Sequence, residues 1–445
     1  MYGVRVPVLT VLLGFAWVAG LSQAGSSGSV SGLSIDDVIK LAQTNEPALA
    51  SAAAESRATA LERSDAKAGL LPSVVFHNQY LYTQSNHTKS TGSQGTLSES
   101  LPIFIANNAV HEYVSQVSVN EALGLGGFAA ARGASANAAR AQAELEIARR
   151  GLVATVAGLF YEARSNDEKL AVAQRALDEA NHFVDVTEKR EVAGEAAHSD
   201  VIKARLGQQQ RKRDLADADL AREKAYLDLG VLLYPDPRTK FTLTDEPTPP
   251  VLPDRKDVEA AAQAENPEIR SALASLQASR ATTLNAWAGL LPDLALNYSY
   301  GIDAPQFASY GPNGVLNRGY SASATIDLPV WDWLTSERRI KEAHIRADAN
   351  KVALSAAQRR LLADLAEFYY EAQTAQEQLA SLDASVADAR EALQLTNLRY
   401  VNGEGTVLDV VDAQSTLVTA ENARADGLVR YHVALAQLET LTGRL

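Results

Sequence analysis

VTEKREVAGEAAHSDVIKA at residues 186–204 and LTNLRYVNGEGTVLDVVDA at residues 395–413 are one segment written twice. At a constant offset of 209, Arg190 falls on Arg399, Gly194 on Gly403, Glu195 on Glu404, Asp200 on Asp409 and Ala204 on Ala413. Upstream, AGLLP at 68–72 returns at 288–292 with an offset of 220, and Pro47 and Tyr80 fall on Pro267 and Tyr300. A repeat longer than 200 residues is not a short solenoid unit but a duplicated half-molecule. The change of offset by 11 puts an insertion between Tyr82 and about Val110 of the first half.

Working outward, each half follows the same order. An Ala-rich helical stretch comes first, at 34–69 and 254–289, opened by Ser34 with Asp37 and by Asp254 with Asp257 as cap and acidic first turn. Pro72 and Pro292 stop it, because proline cannot donate to the helical ladder. The period then changes from helical to two. Leu294, Leu296, Tyr298, Tyr300 and Ile302 alternate with Asp293, Ala295, Asn297, Ser299 and Gly301; after a loop, Tyr320, Ala322, Ala324, Ile326 and Leu328 alternate with Ser321, Ser323, Thr325 and Asp327. In the first half, Val74, Phe76, Tyr80 and Tyr82 stand against Ser73, His77 and Gln79, and Tyr113, Ser115, Val117 and Val119 against Val114, Gln116, Ser118 and Asn120. Each half thus carries one hairpin, at 72–123 and 292–330, of two strands about 10 residues long, the length that crosses a bilayer obliquely.

From 125–193 and 334–402 the pattern is helical for about 69 residues, roughly 100 Å at 1.5 Å per residue. Gly194 and Gly403 sit where such a helix ends in a left-handed cap, and helices at 198–233 and 407–442 return. These give long helical hairpins over 125–233 and 334–443, within repeats at 25–234 and 254–445. The returning helix is much shorter than its partner, so the surplus must dock along the first helix of a half. The Pro-rich stretch 235–253 reads as a surface linker.

Residues 1–24 have the form of a secretory signal: Arg5, an apolar run over 6–21, and Ser22-Gln23-Ala24 as a small-x-small cleavage site. The absence of cysteine removes disulfides, thiolate metal sites and an acylated N-terminal Cys. A formal charge of −13 argues against nucleic acid, which needs a clustered basic surface. None of the seven histidines forms a zinc-type pair, and no GxSxG or phosphate loop is present. Neither an enzyme nor a cofactor or metal is expected.

Four strands with one apolar, Tyr-bearing face suit a membrane barrel with a wet lumen, with Leu294, Leu296, Tyr298, Tyr300, Ala324 and Ile326 facing lipid. Four strands cannot close, and open edges are not tolerated in lipid, so several chains must share one barrel. RYVNGEGTVLDVVDAQ at 399–414, its weaker copy REVAGEAAHSDVIKAR at 190–205, the two AGLLP-plus-strand segments and LPVWDW at 328–333 resemble the TolC-type outer-membrane efflux proteins, the outer membrane factors. That resemblance implies an α+β membrane protein: a homotrimer with a 12-stranded β-barrel, four strands per chain, continued by a periplasmic α-helical barrel. It also implies residence in the outer membrane, among its lipids, as a passive exit duct working with a periplasmic adaptor (membrane fusion) protein and an inner-membrane RND, ABC or MFS pump. The other reading, a secreted helical coiled-coil structural or adhesin-like protein without a pore, leaves the four strands unexplained.

Asp409 and Asp412, three apart on one helix, share a face. By resemblance they project into the narrow periplasmic end of the tube, where a trimer would gather six carboxylates. In the first half Asp200 matches Asp409, but Lys203 matches Asp412 and could pair with a neighbouring acid. Tyr400 occupies the family's tether position, whereas Gly405 stands where some members carry the gate arginine.

Overall fold

The computed structural model describes residues 32–82, 90–91, 97–98, 111–244, 250–304, 306–311 and 314–443; the expected signal segment and most of the first-half insertion lie outside them. The first half runs α1 (Ile35–Asn45), α2 (Pro47–Ala68), β1 (Ser73–Tyr82), the two-residue strands β2 (Ser90–Thr91) and β3 (Leu97–Ser98), β4 (His111–Leu123), α3 (Leu125–Val192) and α4 (His198–Leu233). The second runs α5 (Arg255–Glu265), α6 (Pro267–Ala288), β5 (Asp293–Ala304), β6 (Arg318–Asp327), α7 (Thr335–Val401) and α8 (Val407–Thr442).

Two expectations need correction. The opening stretches 34–69 and 254–289 are each two helices, because the residue before a proline is pushed out of the helical region. Glu46 and Asn266 are extended there, ending one helix and capping the next through bonds from the Ala48 and Ile269 amides. The stretch 235–253 is also more than a surface linker. Its start pairs with Leu33 (Leu33 N donating to the Thr242 carbonyl, 2.8 Å) and buries Phe241; its end receives the Tyr431 hydroxyl on the Pro250 carbonyl at 2.6 Å.

The four long strands form one antiparallel sheet in the order β1-β4-β5-β6, so the β4–β5 ladder joins the two hairpins. Register keeps the expected phase. Leu294, Leu296, Tyr298 and Tyr300 lie opposite Ile326, Ala324, Ala322 and Tyr320 on one face, and Val117 and Val119 extend it to Phe76 and Val74. The other face carries the rungs Asn120–Asn297–Ser323 and Ser118–Ser299–Ser321, with Asn297 donating to Asn120 and the Ser299 and Ser321 hydroxyls 2.7 Å apart. Nothing among the described residues covers the apolar face, where Val74, Phe76, Tyr320 and Ile326 are all exposed. Gly301 is required by close approach, since a Cβ there would lie 2.2 Å from the Ser115 carbonyl oxygen.

Each strand continues into, or out of, one helix: α2 with β1, α3 with β4, α6 with β5 and α7 with β6. These helices pack in the same lateral order, α2 on α3, α3 on α6 and α6 on α7. The surplus length of α3 and α7 is therefore docked on α2 and α6, as the helix lengths demanded. Beyond it, α4 returns along α3, and α8 along α7 and α3. Val38, Val156, Phe160, Leu229 and Leu233 make the core of the first half, and Val258, Tyr431, Leu435 and Leu438 its counterpart in the second.

Candidate functional site at the paired hairpin tips

The two hairpin tips lie side by side at the end of the helices farthest from the sheet. Gly194 and Gly403 take φ of 77° and 76°, a left-handed cap that a side chain would strain. A small core of Phe183, Val184, Ala204, Tyr400, Val407 and Val410 glues α3 and α4 to the end of α7 and the start of α8.

Tyr400 is the centre of this joint. It is only 5% exposed, so it faces neither solvent nor a lumen. Its hydroxyl donates to Thr187 Oγ1 at 3.2 Å, and the Thr187 hydroxyl donates in turn to the Phe183 carbonyl at 2.7 Å. From the first half, the Arg190 guanidinium donates to the Tyr400 carbonyl, lies 4.9 Å from the centre of its ring and pairs with Glu195 at 3.5 Å. Further along the seam, Arg175 and Arg390 bracket Glu421 at 3.2 and 2.8 Å, and Lys169 pairs with Asp426.

The acidic pair of the second tip is placed differently from Tyr400. Val407, Val410 and Gln414 are buried, whereas Asp409 and Asp412 are exposed on the opposite side of α8. Asp409 also closes a capping box: the Thr406 amide donates to its carboxylate at 2.9 Å, and its own amide donates to Thr406 Oγ1 at 3.3 Å. The Thr406 backbone N–H, with the Thr406 hydroxyl, holds the Asp409 carboxyl below its ordinary value. No ion pair reaches Asp412 from the described residues. In the first tip Lys203 lies 3.5 Å from Asp200, so that acid is partly neutralised. Gly405 leaves its site bare, and a Cβ there would press on the Tyr400 amide at 3.2 Å.

Sequence reasoning thus located the tips and the acids but missed Arg190, Thr187 and the cap made by Thr406. The T-x-x-D pattern at 406–409 was a readable signal for the cap. Arg190 and Thr187 reach Tyr400 across 210 and 213 residues, a distance no local pattern encodes.

A family profile described as "Outer membrane efflux protein" matches residues 38–233 and 260–444. The chain belongs to the outer membrane efflux protein family. It is similar to Protein CyaE of Bordetella pertussis, with 27% identity over 419 residues covering 92% of this chain and 82% of that protein. It is also similar to the pyoverdine export outer membrane protein OpmQ of Pseudomonas putida, 25% identical over 413 residues, 88% and 82% of the two chains. The solved structure of the outer-membrane channel OprN has the same fold, with a TM-score of 0.75 at 21% identity over 92% of this chain and 89% of that one. As an outer membrane efflux protein, the chain is an outer-membrane channel component whose helical part extends into the periplasm, and it is not an enzyme.

Proposed function

We propose that three copies close one 12-stranded barrel and one helical tube, which serves as the passive exit duct of a tripartite export system. The observation that carries this reading is the sheet itself. It has one apolar face, one polar face and two edges, β1 and β6, with no strand partner among the described residues, and lipid does not tolerate open edges. Joining β6 of one copy to β1 of the next repeats the strand order and the helix order together, so barrel and tube close by the same rotation. Three copies give twelve strands, wide enough for a water-filled bore.

In this reading the signal segment 1–24 is removed after Ala24, a periplasmic adaptor and an inner-membrane RND, ABC or MFS pump deliver the cargo, and the duct only conducts. Asp409 and Asp412, repeated three times about the axis, form the periplasmic constriction. Asp200, paired with Lys203, contributes less negative charge there, and Tyr400 holds the two tips together from behind.

The test uses the cysteine-free background. Single cysteines placed in β1 and β6 together should cross-link copies in the outer membrane into a ladder that stops at three. Edges that never cross-link, in a protein extracted as a monomer, would instead favour a helical protein without a pore.

A further inference from the structure

The start of the linker is threaded into the first half. Phe241 is seated between α1 and α4, on Val38, Leu229 and Leu233, with its ring 5.2 Å from that of Tyr226. Three features let the chain pass there. Leu33 N donates to the Thr242 carbonyl at 2.8 Å and Thr244 N to the Leu33 carbonyl at 3.0 Å. A Cβ on Gly32 would press on the Thr244 nitrogen at 3.3 Å, and a Cβ on Gly230 would lie 2.5 Å from the Pro237 carbonyl oxygen.

The second half has lost all three. At the offsets of 220 and 209, Gly32, Leu33 and Gly230 fall on Leu252, Pro253 and Glu439. Proline has no N–H to donate, Leu252 packs on the core beside Val258, and a carboxylate stands on α8 where the first half admits only a hydrogen. The place that a strand of the linker takes in one half is therefore closed to a strand in the other.

What is left between α5 and α8 is a pocket of about 180 Å³. Its walls include Val258, Leu435 and Leu438, which correspond to the Val38, Tyr226 and Leu229 that hold Phe241, and Ala261 stands where the first half has Leu41. Apolar cavities of about 150 Å³ take a benzene ring. Glu439 also lines the pocket, and the described residues give its carboxylate neither a hydrogen bond nor an ion pair. Burial pushes this carboxyl above its ordinary value, so its charged form is held at a cost that a bound cation would remove. Asp257 adds a second acid at the exposed rim, and no cationic side chain is among the described residues that line the pocket.

We propose that this pocket binds a small hydrophobic organic cation: an aromatic ring the size of the Phe241 side chain, joined by a short chain to a primary ammonium. The ring fills the apolar walls, and the ammonium donates to the Glu439 carboxylate. An extended peptide is disfavoured by Pro253, and a bare divalent ion by walls that offer carbon where it needs a cage of oxygens. Glu439 lies about 45 Å along α8 from Asp409 at 1.5 Å per residue, so the site is separate from the hairpin tips and does not depend on how copies close a barrel.

The purified full chain is titrated with 2-phenylethylammonium, and with 2-phenylethanol as its neutral counterpart, by ligand-observed NMR against empty detergent micelles. The ammonium should bind saturably and about tenfold more tightly than the alcohol. Glu439→Gln should bring the ammonium down to the level of the alcohol, and Ala261→Leu, which copies Leu41, should abolish binding of both. Absence of saturable binding, or equal binding by Glu439→Gln, overturns the proposal. So does displacement by an equal concentration of magnesium, which would assign the acids to a metal. The competing occupant within the chain is Arg444, five residues beyond Glu439 in sequence. Binding that appears only in Arg444→Gln would put that arginine in the pocket and overturn the proposal as well.

Discussion

The two hairpin tips share a backbone and differ in chemistry. Both turn on a glycine at φ near 77°, and both send a 36-residue helix back from the turn. The second tip, however, caps its helix with Thr406, keeps two exposed acids and buries Tyr400. The first begins its helix at Ala197 without a side-chain cap, sets Lys203 against Asp200, and has Glu191 where the second has Tyr400. Duplication preserved what holds the turn and released what the turn displays. The second tip therefore carries the charge, and the first supplies Arg190 and Thr187 to hold it.

The largest expected effect comes from breaking that hold. Tyr400→Ala removes a buried aromatic and should cost about 3–5 kcal/mol locally, seen as rapid protease cleavage at both turns, while Glu191→Ala at the equivalent site should change little. Equal sensitivity of the two variants would show that the tips are not joined through Tyr400.

Charge gives the next effect. Lys203→Asp makes the first tip resemble the second, and should increase cation preference and tighten block by multivalent cations in planar bilayers. Unchanged selectivity would place the first tip away from the bore.

Capping gives a smaller one. Thr406→Ala should cost about 1 kcal/mol at the start of α8, whereas Ala197→Thr, above an Asp200 already in position, should recover a similar amount in α4. Hydrogen exchange of the first turns measures both.

The pH effect is smaller still. Because Thr406 depresses the Asp409 carboxyl, the cap is fully present above the ordinary carboxylate value of 3.8 and is lost as pH falls through the depressed one. Exchange in the first turn of α8 should accelerate only in that acid range, and Thr406→Ala should abolish the dependence.

Much of this organisation was legible in the chain because duplication makes periodicity visible twice. The ends of α4 and α8 and the phase of all four strands follow from local pattern alone. The breaks at Glu46 and Asn266 were visible in Pro47 and Pro267 but were overridden by the helical composition around them. What sequence could not supply was the pairing across halves. The β4–β5 ladder, the buried ends of the linker and the grip of Arg190 on Tyr400 depend on tertiary contacts between segments far apart in the chain. Asp409 and Asp412 were found as a pair, whereas the T-x-x-D pattern that binds Asp409 into its own helix cap went unread.

The central claim is that the acids of the second tip, rather than those of the first, set the electrostatics of the periplasmic entrance. Single-channel recording in planar bilayers tests it most directly, comparing Asp409→Asn with Asp412→Asn against Asp200→Asn with Lys203→Gln. Asparagine at 409 still accepts from Thr406, so the fold of the tip is kept. The second-tip variant should lose cation preference and multivalent-cation block while remaining trimeric, and the first-tip variant should stay close to the parent. If the second-tip variant keeps the parent's conductance, selectivity and block, its carboxylates are surface acids and the constriction lies elsewhere.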